Sequence, residues 1–438
     1  MIFLVVSQRI GTDTMKRIVC FGPGPMFKGG ISNYNTALAK ALDALPDTEV
    51  HIVSWTQQYP AIIPRDFVDR SSKTSFLDGT QIQVKYITNY NNPATWRETV
   101  NYIASLQPDK VIFQWAIALQ GLPMGRMARQ LKKKTTAEIL FDVHVLVQKE
   151  ASVLDKYFTK YGLEVADTHI VHAYKTAEEL QATFPQLQFD LTEEGSRTRP
   201  EGNKRNILKL YHPVYNLFHP DPNFDIAKAK EEMGLKEHVF LFFGFIRKYK
   251  GLHNVIPAFA KVLETRDDVS LMIVGESFWK TLDTKKLSTR IKNFLFGTAK
   301  KIFLRKSDDE REYRPLELLD TLGIRDKVFV VNRFVANEEV HQYFQVSDAI
   351  LTYYLTATPS GVESLAYNFR MPVLATRVGH FPETIKEGFN GYMAEPEDID
   401  SMAAQMLKFI DQPIDRQNVD AVAQEMSWEN YAQTIMKV

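Results

Sequence analysis

The stretch Thr356–Glu383, TATPSGVESLAYNFRMPVLATRVGHFPE, holds a turn, a short helix, a strand and a second turn in one run. Pro359-Ser360-Gly361 opens it, and Ser360 with Glu363 has the S-x-x-E spacing of a capping box, which predicts a helix start at Ser360. The helix continues through Leu365, Ala366 and Phe369 until Arg370-Met371-Pro372 breaks it, and Val373–Thr376 then reads as an apolar strand before Gly379. First-turn amides behind a glycine receive phosphate oxygens well, because the N–H groups and the helix dipole both face the anion. Ser360, Gly361 and Val362 are therefore candidate phosphate-facing residues. Glu363 has two readings: acceptance of hydrogen bonds from both hydroxyls of a ribose, or stabilisation of the helix start through the capping box.

The same alternation of strand, loop and helix extends in both directions. Ile18–Phe21 reads as a buried strand, followed by a loop with Gly29-Gly30 and a helix carrying Tyr34, Ala37, Leu38 and Leu42 on one face. Further strands are predicted at Val50–Trp55, Ile82–Ile87, Lys110–Gln114, Ile139–Val143 and Thr168–His172. The polar, turn-rich residues 186–206 are expected to form a surface loop. After Tyr211-His212-Pro213-Val214-Tyr215 the alternation restarts at Val239–Phe243, with later strands at Leu271–Val274, Val328–Val331, Ala349–Tyr353 and Val373–Thr376 and a final helix near Asp398–Ile410. Such alternation predicts an α/β protein with two doubly wound, Rossmann-like parallel-sheet domains facing across a cleft. The expected division is residues 1–215, residues 216–412, and a C-terminal segment 413–438 that returns to the first domain.

At 438 residues the chain is too long for one ordinary core, which agrees with two domains of about 200 residues each. Fifty-three basic and 53 acidic residues cancel, so nothing global points to nucleic acid. Cys20 is the sole cysteine, which excludes an intramolecular disulfide and a thiolate zinc site and predicts a reducing, cytoplasmic setting. The opening MIFLVVSQ is too short for a signal-peptide core, and Met15 is a more natural start than Met1, leaving 1–14 as a possible extension. No apolar run is long enough to cross a bilayer. Lys285–Lys306 interleaves eight basic residues with apolar ones and contains no acid; it reads either as a segment on an anionic membrane surface or as a helical insertion with a solvated basic face.

Ligands of open parallel sheets lie beyond the carboxyl ends of the strands, where each glycine-rich loop falls. Arg247 and Lys250, with Lys248, follow the strand Val239–Phe243, and cations there can neutralise a pyrophosphate leaving group; the bland alternative is a solvated loop. Gly29 and Gly30 allow close backbone approach to a ligand across the cleft. His144 ends the strand Ile139–Val143 and can touch a sugar hydroxyl or an acceptor, and Trp115, also at a strand end, can stack on a sugar ring or belong to the core. His212 reads as structural. No run of His and carboxylates has metal-ligand spacing in the sequence.

With these residues in place the chain resembles the retaining glycosyltransferases of family 4, which have the GT-B fold. Gly29-Gly30-Ile31-Ser32 is similar to that family's acceptor-domain glycine loop, and Phe243-Gly244 through Lys250-Gly251 to its phosphate-binding loop. Glu363 through Pro372-Val373 is similar to the second glutamate of its E-x7-E motif with the following strand, and Gly379–Glu383 to its G-G-x-x-E turn, with His380 at the second glycine. The resemblance implies a nucleotide-diphosphate sugar bound in the C-terminal domain, no metal or other cofactor, and transfer with retention to an acceptor held by the N-terminal domain. It implies that Arg247 and Lys250 stabilise the leaving diphosphate, that Gly244, Ser360, Gly361 and Val362 approach it, that Glu363 holds the ribose, and that His144 lines the reacting centre. Leu355 stands where the first motif glutamate belongs, so backbone or Thr358 contacts are expected to replace it. The expected acceptor is a glycan or lipid-linked saccharide at the inner face of the membrane. Two other activities remain open: a nucleotide-sugar epimerase of the same fold, and a silent sugar-nucleotide-binding partner of another transferase.

Overall fold

The computed structural model describes residues 15–60, 67–73, 75–146, 153–277, 313–359 and 361–437. The possible extension 1–14, the cap residue Ser360 and the basic run Lys285–Lys306 lie outside the described residues.

The first sheet contains β1 (Lys16–Phe21), β2 (Thr48–Gln57), β3 (Gln83–Asn89), β4 (Lys110–Trp115), β5 (Glu138–Val143), β6 (Thr168–Val171), β7 (Gln188–Thr192) and β8 (Lys204–Lys209). Their order is β3-β2-β1-β4-β5-β6-β8-β7, and every pairing is parallel. The second sheet contains β9 (His238–Phe243), β10 (Val269–Val274), β11 (Val328–Val331), β12 (Ala349–Thr352), β13 (Val373–Thr376) and β14 (Gly391–Ala394), in the order β11-β10-β9-β12-β13-β14 and again all parallel. The chain therefore folds as two doubly wound sheets, as its alternating pattern predicts. Each order reverses within the sheet, beside β1 and beside β9, with a second reversal in the first sheet at its β8-β7 edge, and loops that diverge from an interior reversal leave a crevice above it.

Burial on both faces explains the unbroken apolar character of the central strands. Ile18, Val19, Cys20 and Phe21 of β1 and all six residues of β10 are buried. The helix Leu252–Leu263 covers the second sheet with Leu252, Val255, Ile256 and Phe259. The expected surface loop at 186–206 is instead two strands, β7 and the start of β8, with a connection between them. β7 is an edge strand whose residues are exposed or half-buried, so its polar composition resembles that of a loop. The tail holds two helices, Arg416–Glu425 and Trp428–Met436, capped by the side chains of Asp415 and Ser427.

The last helix packs on the helix Gly30–Asp43 of the first sheet. Tyr34 donates to the Tyr431 hydroxyl at 2.6 Å, and Tyr431 donates to Asp142 Oδ2 at 3.1 Å. Arg197 forks onto Glu138 and also donates to the carbonyls of Ile435 and Lys437. The end of the chain is thus fastened to the first sheet at both the carboxyl and the amino edges of its strands.

Candidate functional site

A cavity of about 310 Å³ opens between the two sheets at their points of strand reversal. Gly29, Gly30 and Lys28 line it from the first sheet, and Gly244, Lys250, Gly361 and Val362 from the second. Gly29 adopts φ 104°, and no atom lies within 4 Å of the position a Cβ would take, so this backbone is open to a ligand. Tyr215 spans the two halves: its hydroxyl donates to Gly30 O at 2.7 Å, and its ring fills the space a side chain at Gly361 would need. On the far side, Asn337 N–H donates to Ser72 Oγ and Lys73 N–H to Glu338 Oε1, at 3.1 and 2.7 Å.

Of the described cations that line the cavity, Lys28, Lys250 and Arg333, Lys250 is the buried one. It is 6% exposed, and its ammonium donates to Phe243 O at 3.3 Å. Burial, followed by repulsion from Arg247, pulls its pKa down to about 7. Gly244 has φ 95°, and a Cβ there would sit 2.8 Å from Lys250 Nζ, so glycine is needed both for the backbone and for the lysine head. Lys250 Nζ also lies 5.6 Å from the Tyr354 ring centre, and a buried ammonium whose contacts include no carboxylate within ion-pair distance gains most from an arriving anion. Arg247 is half-buried, with its guanidinium 5.5 Å from the Tyr249 ring centre, and is not a lining residue of the cavity.

Glu363 turns away from the cavity, contrary to the ribose reading, while Ser360, the partner in the capping reading, lies outside the described residues. Glu363 is 5% exposed and does not line the cavity. Its Oε1 accepts from Tyr367 (2.9 Å) and Thr384 (2.5 Å), and its Oε2 lies 2.5 Å from His380 Nε2. Burial alone would push this carboxyl up, but His380 and the hydrogen bonds outweigh it and hold the pKa below the ordinary value. The carboxylate ties the helix Gly361–Asn368 to the turn carrying His380. The second position of the G-G-x-x-E turn is a histidine that serves this tie, a pairing 17 residues apart that no local pattern announces. Thr358 is exposed and also lies off the cavity, while Leu355 is held by its own N–H to Tyr249 O.

Trp115 is a core residue, fully buried against Phe141 and the crossing glycines Gly121 and Gly162; it offers no face to a sugar. His144 is also buried and off the cavity. Its Nε2 donates to Gln114 Oε1 at 2.7 Å, and burial, partly opposed by Asp142, holds its pKa near 4. It belongs to a cluster that the sequence scatters over 290 positions. Asp142 Oδ1 accepts from His172 Nε2 at 2.8 Å, His144 and His172 lie 5.5 Å apart by ring centres, and His212 approaches Ser364 Oγ at 2.7 Å. Ligand atoms of Asp142, His144 and His172 lie within 4.8 Å of one another, a metal-compatible spacing. The Asp142 oxygens, however, are already engaged by His172 and Tyr431.

Sequence reasoning missed Glu276, Arg333 and Phe334, which line the cavity. Each lies within three residues of the carboxyl end of β10 or β11, so the strand-end rule that selected Lys250 would have found them.

Residues 223–426 match the family model described as glycosyl transferases group 1. N-acetyl-alpha-D-glucosaminyl L-malate synthase of Bacillus anthracis is 24% identical over 222 residues, which is 50% of this chain and 49% of that protein. The chain spans about half the length of the curated relatives it matches. Across 96% of the chain and 98% of the other, the fold is that of Anabaena Alr3699/HepE, solved in complex with UDP-glucose, with a TM-score of 0.63 and 16% identity. Sucrose-phosphate synthase from Thermosynechococcus elongatus superposes with a TM-score of 0.55 at 17% identity, covering 96% of this chain and 95% of that one.

Proposed function

We propose that this chain, whose residues 223–426 match the family model described as glycosyl transferases group 1, moves a sugar from a nucleotide-diphosphate sugar to a glycan or lipid-linked saccharide. The observation that carries the reading is Lys250, a buried ammonium in a glycine loop, set in a cavity opposite the helix start at Gly361. The donor diphosphate lies between Lys250, Gly244 and the Gly361–Val362 backbone, and the acceptor enters over Gly29 and Gly30. Breaking the sugar–oxygen bond sends its electron pair to the departing oxygen, so one further negative charge grows on the diphosphate, and Lys250 meets that charge. A protein cation in this place does the work that a divalent ion does in other transferases, so transfer needs no metal. Arg247 acts from behind Lys250. Glu363 and His144 act by positioning: the first orders the helix that presents Gly361, the second packs against Tyr34 behind the Gly29-Gly30 loop. The functional division is an acceptor domain over residues 1–215, a donor domain over 216–412 and a crossing segment over 413–438.

A second reading, a silent sugar-nucleotide binder, is favoured by Leu355 in place of a carboxylate and by the inward Glu363. Thermal shift across a panel of nucleotide sugars identifies the donor by the largest rise in Tm. Proton NMR of the product, run with and without a chelator, then reads the anomeric outcome and the metal requirement. Retention with rates unchanged by the chelator is expected; an inverted anomer, or loss of rate restored by a divalent ion, rejects the corresponding part of the assignment.

A further inference from the structure

The helix Val153–Leu163 exposes an apolar ridge that no other described element covers. Val153, Leu154 and Tyr157 are 84%, 37% and 56% exposed. Most large apolar side chains of a folded domain avoid this, and three within five residues of one helix form a patch instead of scattered instances. Lys156 and Lys160 are exposed on the same helix. The neighbouring helix Gly121–Lys134 crosses it so closely that a Cβ at Gly121 would lie 2.2 Å from Phe158 O. That crossing brings exposed Arg126 and half-buried Arg129 alongside, Arg129 lying over the Tyr161 ring at 4.0 Å. The two helices carry seven cations, Arg126, Arg129, Lys132, Lys133, Lys134, Lys156 and Lys160, against one acid, Asp155; Arg129 is paired with Glu164 just beyond the second helix at 3.7 Å, and Lys132 with Asp167. The whole chain is neutral, so this local excess is a property of the surface.

We propose that this helix pair docks on an anionic lipid bilayer, with Val153, Leu154 and Tyr157 entering the headgroup region and the cations meeting lipid phosphates. An apolar ridge flanked by lysines and aromatic rings is the composition of an interfacial helix, whose stems bury while their charged heads stay wet. A second copy of the chain fits less well, because a two-fold contact through this ridge would set Lys156 and Lys160 against their own copies. The position also suits a bilayer. β5 ends at Val143 on the edge that faces the cavity, and the helix runs back from that edge toward β6, so Val153 stands at the cavity side. The surface rests on exposure and charge and does not depend on the transferase reading. It is separate from Lys285–Lys306.

The test is flotation of the full chain with vesicles of phosphatidylcholine alone and of phosphatidylcholine mixed with phosphatidylglycerol. Binding is expected to the mixed vesicles only, to fall by about tenfold or more in K156E/K160E, and to be lost in V153D/Y157D. All four positions are exposed, so both variants keep the wild-type melting temperature and nucleotide-sugar binding. Wild-type protein that ignores anionic vesicles overturns the proposal. So does undiminished flotation of both variants, which would assign the membrane contact to another segment. Sedimentation of the wild type as a dimer that V153D/Y157D converts to a monomer, without vesicle binding, overturns it in favour of a second copy.

Discussion

Lys250 is where a single residue carries most of the proposed chemistry. Replacing it with alanine removes the one lysine that lines the cavity from the second sheet among the described residues, and turnover is expected to fall by tenfold or more, about 1.4 kcal/mol of transition-state stabilisation. Steady-state rates of nucleoside diphosphate release check this, and a wild-type rate would remove Lys250 from the mechanism. Its depressed pKa, about 7, gives a second expectation with a definite sign. Only the protonated form attracts the diphosphate, so kcat/KM declines as pH rises above about 7, and nucleoside diphosphate binding at pH 8 takes up protons from the buffer. Because Arg247 contributes to the depression, Arg247→Ala moves that decline to higher pH. Calorimetry in buffers of different ionisation enthalpy measures the uptake; binding heats that do not depend on the buffer would contradict it. Lys250 was legible in the sequence because it follows a strand and a glycine. Arg247, Trp115 and His144 share that placement yet do not line the cavity, because strand-end position does not fix which way a side chain turns.

At the level of elements, the turn His380–Thr384 and the helix Gly361–Asn368 act as one piece through Glu363. Glu363→Ala leaves His380, Tyr367 and Thr384 buried around a lost acceptor, and a loss of about 3 kcal/mol or more is expected in denaturant unfolding. Since Glu363 is held below its ordinary pKa, its contribution is present at neutral pH and fades as pH falls through the folded-state value. The isosteric Glu363→Gln separates the observed structural tie from the ribose contact first considered for this residue. Reduced stability with unchanged nucleotide affinity is expected of a structural tie, whereas a selective loss of affinity for ribonucleotides over deoxyribonucleotides would restore the ribose contact. Most strands were readable because apolar runs between glycines leave little choice in a parallel sheet. β7 was not, since an edge strand in solvent has a loop's composition, and β14 is only four residues with a glycine.

For the whole molecule, the two-sheet architecture follows from the repeated strand–helix pattern, but the joining of the halves does not. Tyr34, Asp142, His172 and Tyr431 meet across 397 positions of sequence, which no spacing rule anticipates. Through them the last helix clamps the helix that begins at Gly30, so Tyr431→Phe, which leaves the ring and removes both hydrogen bonds, is expected to cost about 1–3 kcal/mol and to lower Tm. An unchanged Tm would show that the clamp is packing alone. The central claim is that the cavity between the sheets holds a sugar donor for transfer. The most direct test incubates the chain with a labelled nucleotide sugar, with and without a saccharide acceptor, and follows nucleoside diphosphate and sugar together. The account predicts acceptor-dependent release of diphosphate matched by glycosylated acceptor, abolished in Lys250→Ala. Binding without turnover, or an epimerised nucleotide sugar formed in the absence of acceptor, would contradict it.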